Sequence, residues 1–321
     1  MSDVAGLVAR LAKGDRRAFA RLLTLVEDGG SETQREVLAA LHPRSGTARL
    51  LGVTGAPGVG KSTVTSALVG ELRSRGRWVA VLAVDPSSPL TGGALLGDRI
   101  RMQAHHGDEG VFVRSMAARG YLGGLAAAVP AAALVADAAG FDDVVLETVG
   151  VGQSEVDVAA MADTTIVVLA PGLGDSVQAA KAGILEVADV LVVNKADQSG
   201  AGRLESELRG MLELGHALAT DDGSGRMPEL LRTVAVRGEG IDALLDAVDR
   251  HGAESAAADS NARAHTRARR WIAELAAGRL RDELTAPGGP LAARLDALAA
   301  QVVERRIDPV SAAEQLTAGI G

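Results

Sequence analysis

The sequence predicts an α/β fold: a doubly wound, mainly parallel sheet carrying a phosphate-binding loop, with helical extensions at both ends. Three observations predict it. From Leu50 onward, short continuous apolar runs alternate with helical patterns, the mark of parallel strands covered on both faces. A glycine-rich turn, "GAPGVGKST" from Gly55 to Thr63, stands between the first such run and a helical pattern. The residues before Leu50 and after Arg250 carry helical periodicity alone.

Residues 1–47 read as an N-terminal helical segment. Asp15 precedes a periodic run through Phe19, Leu22, Leu23 and Val26, and Ser31 with Gln34 forms a capping box ahead of Val37, Leu38 and Leu41. Pro43 closes the segment. Residues 48–250 form the α/β domain, with strands expected at Leu50–Thr54, Trp78–Val84, Val111–Ser115, Val144–Thr148, Thr165–Ala170, Val190–Val193 and Arg232–Val236. Residues 251–321 form a C-terminal helical arm that opens on the small, polar stretch "HGAESAAADSNA", read as a hinge. Within the arm Ala268, Trp271, Leu275, Leu280 and Leu284 recur at helical spacing, "APGGP" breaks the chain, and Asp308–Pro309 is an N-cap with a first-turn proline.

Composition narrows the chemistry. Among 321 residues aromatics make up only 2%, so Ala, Val, Leu and Ile must fill the core. The net charge of −8 argues against nucleic acid or an anionic membrane as partner. The chain has no cysteine, which excludes disulfides, thiolate metal sites and cysteine nucleophiles. The N-terminus lacks the apolar core of a secretory signal, and Pro130 and Asp137 interrupt the alanine-rich stretch Leu122–Gly140. A soluble, cytoplasmic protein is expected.

"GAPGVGKST" matches the phosphate-loop pattern GxxxxGKS/T in the strand–turn–helix setting that the pattern requires. Gly55, Ala56, Pro57, Gly58, Val59, Gly60, Lys61, Ser62 and Thr63 are therefore expected to wrap a phosphate chain, with backbone amides and a helix N-terminus facing the anion. The Lys61 ammonium would reach the β- and γ-phosphates and the Ser62 hydroxyl would ligate Mg²⁺. Lysine occurs only at Lys13, Lys61, Lys181 and Lys195, and two of these four fall inside nucleotide-binding signatures.

The second signature is "NKAD", which follows the apolar run ending at Val193. The Asp197 carboxylate can accept two hydrogen bonds from the N1–H and exocyclic amine of guanine, a donor pair that adenine lacks. Asn194 would brace the loop and the Lys195 stem would cover the base, so GTP is expected over ATP. A last loop, "TVAVRGEG", offers Val234, Ala235 and Val236, with the Ala235 N–H the candidate for the guanine oxygen.

Two segments stand where a γ-phosphate sensor belongs. In "VDPSSPLTGGALLGDRIRM", Asp85 ends a strand and Asp98 lies in a glycine-rich loop; either carboxylate could hold Mg²⁺ directly or through water, or be a solvated or capping residue. In "VVLETVGVGQSEVDV", Glu147 ends a strand and has the reach to meet Mg²⁺ through water, while the Gly150 N–H suits the γ-phosphate. Gln153 is a candidate for orienting water, with a surface role the alternative. Lys181 belongs either to an exposed helix or to a third segment reporting nucleotide state. Arg99, Arg101, Arg114 and Arg119 are unranked candidates for charge stabilisation or partner contact. The adjacent His105 and His106 read as a solvated loop rather than a metal site.

With these residues assembled, the chain resembles the methylmalonyl-CoA-mutase-associated GTPases, the MeaB/ArgK family of P-loop GTPases. The stretches that carry the resemblance are "GAPGVGKST", "AVDPSSPLTGGALLGDRIRM", "ETVGVGQSEVDVA", "GDSVQAAKAGILEVADVLVVNKAD" and "RGEGIDALL", which together span most of Leu50–Arg250. The resemblance implies a GTPase chaperone that gates cofactor delivery to, and protects, an adenosylcobalamin-dependent acyl-CoA mutase of the methylmalonyl-CoA type. It also implies a homodimer formed through the C-terminal helices. It puts Asp85 and Asp98 in the first switch, Glu147 to Gln153 in the second and Gln178 to Lys181 in the third. One departure is that the family often carries a Ser-Ala pair where this chain has Val234-Ala235, so slightly looser base binding is expected.

The expected chemistry is Mg²⁺-dependent hydrolysis of GTP to GDP and phosphate. The alternatives are a kinase acting on a transport-system protein, a metallochaperone GTPase and a nucleotide-gated scaffold. No element demands a phosphoacceptor, and the lack of cysteine and of a histidine-rich tract counts against a metallochaperone.

Overall fold

The computed structural model describes residues 3–28, 31–86, 103–118, 128–148, 161–172, 187–219 and 227–318. Three helices open the chain: α1 (Val4–Leu11), α2 (Arg16–Asp28) and α3 (Ser31–Leu41). Asp15 caps α2 by accepting from the backbone N–H groups of Arg17 and Ala18. Gln34 turns its amide to the Val26 carbonyl at 3.1 Å, so it ties α3 to α2 in place of the expected reciprocal cap.

The α/β part comprises β1 (Arg49–Thr54), α4 (Lys61–Ser74), β2 (Val79–Pro86), β3 (Val111–Ala118), α5 (Ala128–Ala138), β4 (Asp143–Thr148), β5 (Thr164–Leu169), β6 (Val190–Val193), α6 (Ala201–Ala219) and β7 (Glu229–Arg232). The strands form one parallel sheet in the order β3-β2-β4-β1-β5-β6-β7. From β1 the chain moves outward to β2 and β3, returns to β4 beside β1, then fills the other side. Ligands of open α/β sheets bind beyond the carboxyl ends of the strands where the direction reverses, which here is the end of β1.

The central strands β4, β5 and β6 are buried along their whole length, the expected result of covering both faces of a parallel sheet. Aliphatic residues from β1, β2, β5 and β6 pack with Leu68, Val69 and Leu72 of α4 in the principal core. The sequence contains only three phenylalanines, and all three gather where α2 meets the sheet. Phe19 packs edge-on to Phe112 with ring centroids 4.5 Å apart, and Phe141 lies between Phe19 and Trp78.

Fully buried Asp143, at the start of β4, receives Arg49 at 2.8 Å and Arg77 at 2.5 Å. Arg49 also reaches Asp249 at 2.5 Å. Burial works against the Arg49 charge, but Asp143 and Asp249 outweigh it and hold its pKa above the ordinary arginine value.

Two expectations are corrected. The seventh strand is Glu229–Arg232, not Arg232–Val236. Thr233 still donates to the Val193 carbonyl, but Val234 pairs back onto Glu239 and Ala235–Arg237 form a 3₁₀ turn. Val234 and Ala235 are buried as loop plugs, so their apolar character imitates a strand. The expected hinge after Arg250 is helical: α7 runs unbroken from Ile241 to Thr285. The alanines of the stretch His251–Ala262 are strong helix formers and it contains no proline, which outweighs its one glycine, Gly252.

Two compact units divide between Arg267 and Ala268, inside α7. The second contains the end of α7, α8 (Pro290–Val303) and α9 (Pro309–Thr317) around a small core of Leu298, Ala312 and Leu316. Asp308 caps α9 as expected, accepting from the N–H groups of Val310 and Ser311.

Candidate functional site: a phosphate loop joined to a base-reading loop

The turn after β1 is shaped by glycines in backbone conformations that L side chains rarely adopt. Gly55 has φ +137° and a Cβ there would sit 2.1 Å from the Val168 carbonyl oxygen; Gly60 has φ +96° and its Cβ would lie 2.5 Å from Asn194 Nδ2. Gly60 forms the N-cap of α4 without a side-chain capping bond. First-turn amides of α4 therefore face the loop rather than a capping side chain, the arrangement by which a helix N-terminus accepts phosphate. Lys61 folds back over the same turn, its ammonium donating to the carbonyls of Gly55 at 2.6 Å and Ala56 at 3.0 Å.

Parallel pairing of β1 with β4 sets Val53 opposite Glu147. This brings a carboxylate to the first turn of α4: Ser62 Oγ donates to Glu147 Oε1 at 2.5 Å, and Glu147 is 2% exposed. One position further along, Thr148 Oγ1 donates to Thr54 Oγ1 at 3.1 Å, closing the strand ends together. A buried hydroxyl beside a buried carboxylate at a phosphate loop is an oxygen donor set suited to a hard divalent cation such as Mg²⁺. Pairing of β2 with β4 sets Val84 opposite Thr148, so the backbone of Asp85 lies at the same carboxyl edge.

Asn194 follows β6 and is 3% exposed. Its amide donates to the Val59 carbonyl at 2.9 Å, while its Oδ1 accepts from Thr233 Oγ1 at 3.1 Å and from the Ala235 N–H at 3.2 Å. One side chain thus joins three loops. The Ala235 N–H, expected to meet the base, is directed to Asn194. The Thr233 hydroxyl supplies a polar bond next to the Val234-Ala235 departure. Lys195 takes φ +54° and donates from Nζ to the Gly58 carbonyl at 2.8 Å, so its stem bridges the base-reading and phosphate loops.

Asp197 is partly exposed, and its Oδ2 accepts from Arg237 Nη1 at 3.2 Å. Arg237 also donates from Nε to Glu239 Oε1 at 2.6 Å. The Glu239 hydrogen bond, ahead of the contributions of Asp197, holds the Arg237 pKa above its ordinary value. Val234 is buried and Val236 is 79% exposed at the loop tip.

The structure therefore brings together Gly55 through Thr63, Glu147, Asn194, Lys195 and the Thr233–Val236 loop. Asp98, Arg99, Arg101, Arg119, Gly150, Gln153, Gln178, Lys181 and the Asp85 side chain lie outside the described residues. Arg114 is committed elsewhere, to Glu27 at 2.5 Å on α2. His105 is not solvated as expected: its Nε2 lies 2.8 Å from the Ser66 carbonyl on α4, and the neighbouring Asp108 pairs with Arg73 at 2.9 Å. Sequence reasoning gave no role to Arg237, although its place two residues after Ala235 in the base loop was the available signal.

Comparison with known proteins agrees with this geometry. Residues 19–288 match the family model described as methylmalonyl-CoA mutase-associated GTPase MeaB. The GTPase ArgK of Escherichia coli is 40% identical over 250 residues, covering 77% of this chain and 75% of that protein. A Pyrococcus abyssi protein named "Putative GTPase" is 51% identical over 245 residues, 76% of this chain and 75% of its own. Among solved structures, one titled LAO/AO transport system kinase superposes with a TM-score of 0.72 at 29% identity, covering 100% of this chain and 99% of that one.

Proposed function

Because the chain belongs to the MeaB family of methylmalonyl-CoA mutase-associated GTPases, we propose that it couples GTP hydrolysis to the care of an adenosylcobalamin-dependent acyl-CoA mutase. The protein is a GTP hydrolase, converting GTP to GDP and phosphate, as family and fold together establish. The finer reading is that nucleotide state controls a surface that gates cofactor delivery to the mutase and protects it. The family description, matched across residues 19–288, is the observation that carries it.

The roles proposed for the residues follow from their positions. The loop amides and the Lys61 ammonium neutralise the β- and γ-phosphates, Ser62 and Glu147 form the cation side of the site, and Asp197 reads guanine while Asn194 holds the three loops in register. Mg²⁺, when bound, supplies positive charge against the charge that develops on the transferred phosphoryl group. Ser62, Glu147, Asp85 and Asp98 are the residues proposed to hold it, and the hydrogen bond between the first two supports that part of the set. In the nucleotide-bound state Lys61 would exchange its bonds to the Gly55 and Ala56 carbonyls for phosphate oxygens.

We further propose a homodimer formed through the C-terminal helices and a cytoplasmic location. Exposed apolar side chains on the second unit, among them Ile272, Val303 and Val310, support self-association. No helix of the described residues is long and apolar enough to cross a membrane. Sedimentation of the purified chain tests the dimer.

The deciding experiment measures GTP turnover with and without candidate acyl-CoA mutases. Unassisted switch GTPases turn over at about 10⁻⁴ to 10⁻² per second, and a client mutase should raise that rate. A rate unchanged at saturating mutase, together with no mutase captured by the chain loaded with a non-hydrolysable GTP analogue, rejects the chaperone reading. The name of the solved kinase relative keeps phosphotransfer to a transport-system protein as a second reading. Labelled γ-phosphate appearing on a protein rather than as free phosphate would favour it.

A further inference from the structure

The base loop contains a charged clamp that the nucleotide motifs do not explain. Arg237 lies at the end of the Ala235–Arg237 turn, and the chain then turns back so that Glu239 pairs with Val234. Two glycines force that return. Gly238 has φ +73°, and Gly240 has φ +76° with its Cβ position 2.2 Å from the Arg232 carbonyl oxygen. The turn is therefore fixed by backbone geometry, and it sets Glu239 where it grips Arg237 at 2.6 Å through Nε. The free edge of the guanidinium crosses to the neighbouring loop and donates to Asp197 Oδ2 at 3.2 Å, 40 residues away in sequence.

Among the described residues, Arg237 is the group that holds the Asp197 side chain. Its neighbours are tied down by backbone and buried groups: Ala196 N–H donates to the Thr233 carbonyl at 3.1 Å, and Gln198 N–H to the Lys195 carbonyl at 2.9 Å. Its carboxylate, by contrast, is partly exposed, and an aspartate side chain in water samples several rotamers. A carboxylate offers about four lone-pair sites, so one bond from Arg237 to Oδ2 leaves the outer edge open to accept two N–H groups of a base. A planar guanidinium fixed at its other edge is suited to orient that carboxylate, since less freedom is lost per hydrogen bond than with a lysine.

We propose that Arg237, braced by Glu239, is a positioning residue that orients the Asp197 carboxylate and so sharpens discrimination between guanine and other bases. The proposal rests on the reading of Asp197 as the guanine acceptor. The Arg237–Asp197 pair is solvent-exposed, so the effect is modest: pairs of this kind contribute up to ~1 kcal/mol, or about fivefold in an equilibrium constant.

The test is calorimetric titration of the full chain with GDP, IDP and ADP, in wild type and in Arg237→Met, Arg237→Lys and Glu239→Gln. IDP lacks the exocyclic amine and so forfeits one of the two bonds to Asp197. Arg237→Met keeps the aliphatic stem and removes the fork. It should weaken GDP binding about fivefold and IDP binding, which keeps the N1–H bond, by less, and thus shrink the GDP/IDP ratio, while the urea midpoint moves little. Arg237→Lys and Glu239→Gln should fall between Met and wild type. Equal loss for GDP and IDP, or unchanged or tighter GDP binding, overturns the proposal while leaving guanine recognition by Asp197 intact. A wild type that binds GDP no better than IDP and ADP overturns both.

Discussion

The side-chain amide of Asn194 donates to the Val59 carbonyl at 2.9 Å, joining two loops 135 residues apart. Through Oδ1 the same side chain accepts from Thr233 and Ala235, so the phosphate loop, the base-reading loop and the last loop share one buried residue. Asn194→Ala should cost about 2–3 kcal/mol of stability, because it leaves buried groups without partners. It should also weaken GDP binding by at least tenfold. Denaturation in urea and titration with GDP measure the two effects, and a variant that binds GDP normally would show that the loops hold themselves in register.

Gly60→Ala places a methyl group 2.5 Å from Asn194 Nδ2 at a backbone φ of +96°. Backbone strain and collision act together, and the collision displaces the group that joins the loops. GTP binding should fall by more than about 100-fold, or ~2.7 kcal/mol, with the overall circular dichroism retained. Normal affinity in this variant would mean that the loop is more pliable than its geometry indicates.

Glu147→Ala and Glu147→Gln separate sensing from support. The glutamine retains a carbonyl oxygen to accept from Ser62 but not the charge. Both variants should lower the single-turnover rate of GTP hydrolysis by about 100-fold, in the range seen on removing one electrostatic stabiliser of a transition state. GDP affinity should change less than fivefold. Equal losses in rate and affinity would assign Glu147 a structural role.

Asp108 is about one-third exposed, at 32%, and its pKa is lowered from the ordinary 3.8, first by the hydrogen bond from Arg73 and then by the Gly110 N–H. A depressed carboxylate contributes its full stabilisation above the unfolded value and loses it as pH falls through the lower folded value. The Arg73 anchor should therefore be intact at neutral pH and should fail only below pH 3.8. Asp108→Asn should flatten that acid limb without changing the shape of the profile above it. Urea midpoints measured across this range in both proteins check the prediction, and parallel curves would refute it.

Ala257→Pro tests the long helix directly. Residue 257 lies in the stretch that composition marks as a hinge but that is helical within Ile241–Thr285. A proline inside a helix removes a hydrogen bond and clashes with the preceding turn, a cost of roughly 3 kcal/mol. Helical signal in the far-ultraviolet should drop and thermal unfolding should begin earlier. A silent substitution would return this stretch to the status of a hinge.

Local features made most of the sheet legible. Six of its strands lie where apolar runs predict them, because a run covered on both faces needs no partner to be recognised. The phosphate loop was equally clear, since its glycines encode a backbone that other residues cannot adopt. The seventh strand and the hinge were misread for one reason: short apolar and small polar stretches have the same composition in more than one backbone state. The return of Val234 onto Glu239 excludes the strand, and the alanines of the second stretch carry α7 through it.

The sequence by itself determined the fold class, the phosphate-loop pattern, the NKAD signature and the family, each written in contiguous residues whose chemistry is local. The tertiary structure alone decided which distant groups meet. Strand register set Glu147 against Ser62, the carboxyl edge of β6 set Asn194 against Val59, and a two-glycine return set Arg237 against Asp197. These are contacts between residues tens to more than a hundred positions apart. They depend on strand order and loop closure, which no spacing along the chain records.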